Sequence, residues 1–374
     1  MEAKETRLGS SLLVPSVQEL AKEPLSQVPS RYVRTGQEPT ATSRIPSEPP
    51  PEVPIIDMQR LLSADSTDYE LERLHLACKD WGFFQLINHG VSCSLLEKVK
   101  AEVQEFFNMP MEAKKKYWKQ AEDIEGFGQA FVVSEEQKLD WADMFYMVNL
   151  PHNIRKPHLF PKLPFPFSYF IISYSYMYLY KTIELKDTLE AYSSELKRVS
   201  MNTLVSIAKA SNMEVEEMKV LFKEGVQSMR MNYYPPCPQP EQVIGLTPHS
   251  DPLAITFLLQ INEVEGLEIK KEGNWMTVKP LPNSFIVNIG DTLEIVTNGL
   301  YKSIEHRVTV NSEKERLSVA TFVTPKLDGE VGPAPSLITP ENPPKFTRVS
   351  VVDFFKNVFS SELYGKGNID QYYL

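Results

Sequence analysis

GLTPHSD, residues Gly245–Asp251, carries a histidine and an aspartate two positions apart, His249 and Asp251. In an extended strand, residues at i and i+2 project from the same face, so this one short segment offers an imidazole and a carboxylate to a single metal ion. His306 follows 54 intervening residues later and completes a set of two histidines and one carboxylate. Such a set leaves three coordination positions free, which suits Fe(II) oxygen chemistry, where a cosubstrate and O₂ must both reach the metal. A lone His-x-Asp is a common chance match on a polar strand edge. Arg316 and Ser318, ten and twelve positions beyond His306, lift this one out of that class.

Their spacing has a chemical reason. If Glu315–Phe322 is a strand, Arg316, Ser318, Ala320 and Phe322 share one face, while Leu317, Val319 and Thr321 share the other. A guanidinium and a hydroxyl then project together. Arginine grips a carboxylate through two parallel charge-assisted hydrogen bonds and the hydroxyl donates a third, an arrangement that anchors the remote end of a dicarboxylate such as 2-oxoglutarate. The keto-acid end of the same molecule chelates the iron.

The sequence around these positions supplies strands. After about Gln227 it breaks into short apolar runs bounded by Pro, Gly and Asn, the pattern of an antiparallel β barrel or jelly roll. Upstream the pattern is mixed. A strand is predicted over Pro54–Asp57, then an amphipathic helix with Leu71, Leu74, Cys78 and Trp81 on one face. A second strand, Phe83–Asn88, ends at His89-Gly90 and leads into a helix presenting Leu96, Val99, Val103 and Phe107. Residues 1–52, rich in Pro, Ser and charge, read as an arm with at most one short helix around Val17–Ala21. Val351–Phe359 suggests a closing helix. The fold class is α+β.

With 374 residues the chain can bury a large core, and 39 basic against 49 acidic residues give a net charge of −10. That balance disfavours nucleic acid or an anionic membrane as partner. Cys78, Cys93 and Cys237 lie far apart and form no CxxC pattern, which reads as reduced thiols of an intracellular protein. The first twenty residues hold no secretory signal, so a cytoplasmic location is expected.

The motifs NYYPPCPQP (Asn232–Pro240), GLTPHSD (Gly245–Asp251), VKPLPNSFIVNIGD (Val278–Asp291), TNGLYKSIEHRV (Thr297–Val308) and ERLSVATF (Glu315–Phe322) resemble those of the plant iron(II)/2-oxoglutarate-dependent dioxygenases, specifically the senescence-related oxidases and the codeine and thebaine O-demethylases. ACKDWGFFQLINHGV (Ala77–Val91), EGFGQAF (Glu125–Phe131) and LDWADMF (Leu139–Phe145) extend the resemblance to the N-terminal half, so that nearly the whole chain is covered. The resemblance implies a double-stranded β-helix over residues 225–326, preceded by an N-terminal domain over 53–165 and connecting helices over 187–224, with a C-terminal segment over 327–374. It implies Fe(II) at His249, Asp251 and His306, and 2-oxoglutarate held by Arg316 and Ser318 with Tyr234 and Asn232. O₂ is the other cosubstrate and ascorbate the reductant. It places Phe322, Phe127, Gln129 and Arg230 near substrate, although ordinary packing explains each of these four as well. The other histidines, His75, His89, His152 and His158, lack partners at ligand spacing and read as structural.

The implied reaction is hydroxylation or O-demethylation of a plant specialised metabolite, an alkaloid, flavonoid or other phenolic, by a monomeric enzyme that releases succinate and CO₂. The alternatives are a non-catalytic small-molecule binder on the same barrel, a hormone-modifying dioxygenase, or a Zn(II) hydrolase using the same three ligands. A hydrolase has no need of a dicarboxylate anchor at Arg316. Three positions depart from the family's usual residues: Pro252, which keeps Asp251 extended but removes one ladder hydrogen bond, Ala254 and Val323. These cast doubt on carrying over any relative's substrate. In relatives the Leu163–Phe167 stretch runs almost directly into the helix that here begins near Asp187. The intervening Ser168–Lys186, SYFIISYSYMYLYKTIELK, has an apolar run shorter than the roughly 20 residues a bilayer needs. It reads as a translated intron, the alternative being a lid extension or membrane-surface element, and sequencing the transcript distinguishes them.

Overall fold

Alternation of large apolar and small or polar side chains along two long antiparallel partners, β5 (Val226–Tyr234) and β12 (Arg316–Thr324), sets up the wall on which everything else is hung. The structure is a computed structural model describing residues 11–23, 25, 27–34, 36, 52–120, 123–129, 132–161, 185–359 and 365–374. The other strands of the two main sheets are β1 (Ile55–Asp57), β2 (Phe83–Ile87), β3 (Gly126–Gly128), β4 (Asp143–Leu150), β6 (Leu246–His249), β7 (Ile255–Gln260), β8 (Leu267–Lys271), β9 (Asn274–Thr277), β10 (Phe285–Ile289) and β11 (His306–Val308). An eight-stranded sheet runs β1-β2-β10-β7-β12-β5-β4-β3, and a four-stranded sheet runs β6-β11-β8-β9. Side chains of both line one internal cavity, as the two walls of a double-stranded β-helix do. Every β12 residue is buried because the strand is paired on both edges, with β5 and β7, and covered on both faces.

The outer face of the large sheet is closed by helices: α1 (Thr67–Leu76), α2 (Cys93–Asn108), α3 (Leu185–Ala210) and α4 (Val215–Phe222). Leu96, Val99, Val103 and Phe107 of α2, with Leu189 and Leu196 of α3, join one core with Phe145, Met229, Met231, Leu317 and Val319 of the sheet. Each fully buried Leu or Phe there contributes roughly 1.5–3 kcal/mol of burial. Ser92 starts α2 by accepting from the Leu95 amide at 3.3 Å, and the extended Met109 before Pro110 ends it. Two further helices, α5 (Asp291–Val296) and α6 (Val351–Phe359), lie towards the C-terminus. Phe354, Phe355 and Val358 of α6 cluster with Phe322 and Ile295, so the predicted closing helix covers one end of the barrel.

The N-terminal arm is less free than its composition predicts. Val14, Val17, Val28 and Tyr32 are buried against Leu139, Trp141, Cys237 and Val243. Ser16 opens a short helix, Val17–Leu20, and donates its hydroxyl to buried Asp143 at 2.6 Å, while the Val17 and Gln18 amides bind the same carboxylate. Four apolar side chains and one satisfied carboxylate are enough to dock a segment that reads as solvated. The unusual stretch Ser168–Lys186 lies outside the described residues except for its last two, Leu185 and Lys186, which open α3. Leu185 is fully buried, so the helix starts two residues earlier than its sequence pattern suggests.

Candidate metal centre and cosubstrate pocket

His249 closes β6 and His306 opens β11, and the two are directly paired across the antiparallel ladder. Asp251 is not on the strand with His249, as the i, i+2 spacing predicts, but just past its end in the bend that leads to β7. The spacing still works. Ligand atoms of His249, Asp251 and His306 all lie within 4.8 Å of one another, with Asp251 Oδ1 3.4 Å from His249 Nε2 and 3.7 Å from His306 Nε2. Pro252 sits in the same bend, where there is no ladder hydrogen bond to lose, contrary to the expectation from sequence, and its carbonyl accepts from the Thr292 hydroxyl at 2.8 Å. Gly290 lets the chain close tightly here, since a Cβ would stand 1.9 Å from the Leu253 carbonyl oxygen.

The surroundings orient each ligand. His249 Nδ1 donates to the Thr247 carbonyl at 2.7 Å and His306 Nδ1 to the Ile304 carbonyl at 3.2 Å, which turns both Nε2 atoms towards the centre. The outer oxygen of Asp251 accepts from Thr256 Oγ1 at 2.5 Å and Asn288 Nδ2 at 2.8 Å. Oδ1 is thereby aimed at the imidazoles. Burial by itself would raise the Asp251 pKa, but the His306 and His249 rings and the Thr256 hydroxyl outweigh it and hold the carboxyl well below the usual range. Burial, with His249 alongside, pushes His306 down to about 4, so its imidazole is neutral at physiological pH. A carboxylate and two imidazole nitrogens within 4.8 Å of one another are the donor set that a divalent cation requires.

Three inward-facing positions along β12 from the Phe322–Thr256 pair stands Arg316. Cross-strand register aligns Tyr234 with Arg316, Asn232 with Ser318 and Gln260, and Arg230 with Ala320 and Leu258. All but Gln260 line the cavity, as the alternation in ERLSVATF predicts for Arg316, Ser318 and Ala320. The Arg316 guanidinium is only 2% exposed and donates one bond, Nη2 to Gln260 Oε1 at 2.9 Å, while Nε and Nη1 have no hydrogen-bond partner. Burial lowers its pKa, and Tyr234, whose ring lies 5.3 Å beneath, opposes that. An unpaired buried cation of this kind is costly, and a carboxylate is the group that completes it. Ser318 accepts from Asn232 Nδ2 at 3.3 Å and so retains its own O–H to donate. Tyr234 is a neutral phenol, its pKa raised by burial.

Residues 225–325 match the model of the 2OG-Fe(II) oxygenase superfamily, and residues 53–163 match that of the N-terminal region of the non-haem dioxygenases in morphine synthesis. The chain belongs to this superfamily. The 2OG-Fe(II) oxygenase is 54% identical to Protein SRG1 of Arabidopsis thaliana over 99% of both chains. It is 52% identical to the oxoglutarate-dependent flavonoid 7-O-demethylase 1 of Ocimum basilicum, over 98% of this chain and 93% of that one. With the codeine O-demethylase of Papaver somniferum the identity is 50% over 97% of each. Among solved structures it is similar to JOX2 in complex with 2OG, Fe and JA, with a TM-score of 0.82 and 33% identity, covering 96% of this chain and 98% of that one. The oxygenase is accordingly a 2-oxoglutarate-dependent dioxygenase, and the family pairs Fe(II) with 2-oxoglutarate. The donor set at His249, Asp251 and His306 and the orphaned Arg316 guanidinium fit these two groups.

The residues expected near substrate fall into two groups. Phe322 and Arg230 line the cavity, with the Arg230 guanidinium 5.6 Å from the Phe322 ring and its Nε unpartnered. Gln129 lines an adjoining outer recess that shares Arg230, Asn232 and Tyr234 with the cavity, and its amide donates to the Asp140 carbonyl at 3.2 Å. Phe127 requires correction. It is fully buried on the helix-covered side of the sheet, edge-on to Phe106 and Trp118, and lines neither space. Val323 likewise belongs to the helix-side core, so its departure from the family leaves the cavity wall untouched, and Ala254 is buried in the same core. His75 bonds the Ala210 carbonyl and the Tyr301 hydroxyl, His89 bridges Val91 and Asn283, and His152 and His158 sit in exposed turns. Thr256, Asn288 and Gln260, which hold Asp251 and Arg316, carry no sequence signal of their own.

Proposed function

We propose that Fe(II) is held by His249, Asp251 and His306 and that 2-oxoglutarate binds with its remote carboxylate on Arg316, Ser318 and Tyr234. The observation that carries this reading is the Arg316 guanidinium, buried, two of its nitrogens unpartnered, beside a hydroxyl free to donate. The bidentate fork fits a carboxylate and the Gln260 amide steers it. Bound iron supplies oxidation of a substrate C–H bond coupled to decarboxylation of 2-oxoglutarate to succinate and CO₂. Asn232 fixes the Ser318 hydroxyl, and Thr256 and Asn288 keep the Asp251 carboxylate in one orientation.

The substrate we propose is a methoxylated phenolic or alkaloid of plant specialised metabolism, bound between Phe322, Arg230 and the Gln129 recess. Support comes from the named activities of relatives at 50–52% identity, flavonoid 7-O-demethylation and codeine O-demethylation. In the balanced reaction R–O–CH₃, O₂ and 2-oxoglutarate give R–OH, formaldehyde, succinate and CO₂; where the attacked carbon bears no ether oxygen, the product is an alcohol. Ascorbate serves as reductant. The enzyme acts as a cytoplasmic monomer on small molecules, without nucleic acid or membrane as partner; its net charge of −10 agrees with that, and among the described residues no helix is long and apolar enough to cross a membrane. The test is succinate and formaldehyde release from 2-oxoglutarate with and without Fe(II), across methoxyflavones, methoxylated alkaloids and hormones. Iron-dependent formaldehyde matching succinate one for one supports O-demethylation, and no iron-dependent succinate with any compound defeats the reading.

A further inference from the structure

β6 carries His249 at its end and is an edge strand, paired with β11 on one side only within its sheet. The open side is met by the C-terminal segment. Gly365 forms a parallel bridge to His249, donating its amide to the Pro248 carbonyl at 2.8 Å and accepting from the Ser250 amide at 3.0 Å. Lys366 then reaches inward, its Nζ 3.1 Å from Glu294 Oε2 and 2.9 Å from the Ser303 carbonyl. Glu294 is fully buried in α5 and also receives Lys302 Nζ, the Ser303 amide and the Tyr373 hydroxyl at 2.8–3.2 Å. Ser303 Oγ donates to Asp291 Oδ1 at 2.6 Å, and the other oxygen of Asp291 accepts from Ser250 Oγ at 3.1 Å. The Asp291 amide donates to the Asp251 carbonyl at 2.8 Å. A polar chain therefore runs from Lys366 through Glu294, Ser303 and Asp291 to the Ser250 hydroxyl and the Asp251 carbonyl, while Gly365 holds the backbone at Pro248 and Ser250 directly.

We propose that Gly365–Leu374 is a strap that positions the metal centre, with Lys366 its positioning residue: by clamping the open edge of β6 it fixes the His249–Asp251 segment in the geometry that binds iron. Groups that orient metal ligands from behind typically change affinity by about 10–100-fold. Among the described residues, none of the strap lines the cavity where 2-oxoglutarate is placed. Its effect therefore falls on metal affinity and spares cosubstrate affinity.

The proposal rests on the assignment of the three ligands, and the test separates the two. In the full-length chain, Mn(II) binding is measured by equilibrium dialysis for wild type, Lys366→Met, Lys366→Arg and His249→Ala. Lys366 is one-third exposed, so these variants are compatible with folding. Lys366→Met should bind Mn(II) about tenfold more weakly, Lys366→Arg should recover most of that, and 2-oxoglutarate affinity at saturating Mn(II) should be unchanged in both. Because coupling is reciprocal, Mn(II) should also slow hydrogen exchange across residues 365–374 of the wild type. A Lys366→Met protein that melts earlier with unaltered Mn(II) affinity, or a wild-type strap whose exchange ignores Mn(II), overturns the strap. A His249→Ala protein that binds Mn(II) like wild type overturns the ligand assignment instead.

Discussion

The two faces of β12 do opposite work within nine residues. Leu317, Val319 and Val323 point into the helix-covered core and contribute burial alone. Arg316, Ser318 and Phe322 point into the cavity, and there the protein accepts an unsatisfied guanidinium that would be intolerable on the other face. The same backbone is rigid because the first face is apolar and reactive because the second is not. Substitutions on the two faces should therefore separate folding from chemistry, and the further a residue lies from the cavity, the more completely.

The largest effect is expected at the ligands that the β12 wall faces. His249→Ala, Asp251→Ala or His306→Ala should each abolish succinate formation while far-ultraviolet dichroism persists, because the core depends on apolar burial rather than on iron. Chelation of the wild type should do the same and be reversed by added Fe(II). An alanine variant with near wild-type turnover at saturating iron removes that residue from the set.

Arg316 comes next. Removing one member of a buried charge pair costs about 3–5 kcal/mol, so Arg316→Ala should weaken 2-oxoglutarate by about two to four decades. Arg316→Lys keeps the charge without the fork and should fall between. Iron affinity should hold in both, and a 2-oxoglutarate titration of the three proteins checks the order. On the opposite face, Leu317→Ala should cost about 2–5 kcal/mol of stability, while the 2-oxoglutarate affinity of the folded protein stays put. Denaturant unfolding alongside the same titration measures both, and a cosubstrate defect in Leu317→Ala would break the division between the faces.

What sequence made legible follows this division. Arg316 and Ser318 stand out in ERLSVATF because a strand run dominated by Leu, Val, Ala and Phe has no packing reason to hold an arginine and a serine on one side. His249 and Asp251 are legible from spacing, although the strand ends between them. Asn288 and Gln260 were hidden, since their bonds to Asp251 and Arg316 join residues 37 and 56 positions apart and arise only once β7, β10 and β12 are in register. The strap was hidden for the same reason, because Gly365 meets His249 only after the chain has folded back. Phe127 was misread because a three-residue strand flanked by glycines gives too little alternation to assign a face.

That misreading supplies the smallest and sharpest test. Phe127 touches the rings of Phe106, Phe107 and Trp118 on the helix side, at centroid distances of 5.9–6.4 Å, and is fully buried. A residue so placed acts through packing alone. Phe127→Leu loses ring area but keeps an apolar side chain, so it should lower stability by about 1–2 kcal/mol, in the ordinary range for a core change that leaves a small void. Gln129, two positions on and past the end of β3, lines the outer recess, and Gln129→Ala, which gives up one hydrogen bond to the Asp140 carbonyl, should cost about 1 kcal/mol of stability while raising KM for the substrate. Because the chain leaves the strand after Gly128, Phe127 packs on the helix side while Gln129 lines the recess, so the Phe127 variant shows a lower melting temperature with unchanged substrate KM, and the Gln129 variant shows chiefly a raised KM. A substrate KM that rises in Phe127→Leu with no loss of stability would return Phe127 to the substrate pocket and show that β3 turns its ring towards the cavity when substrate binds.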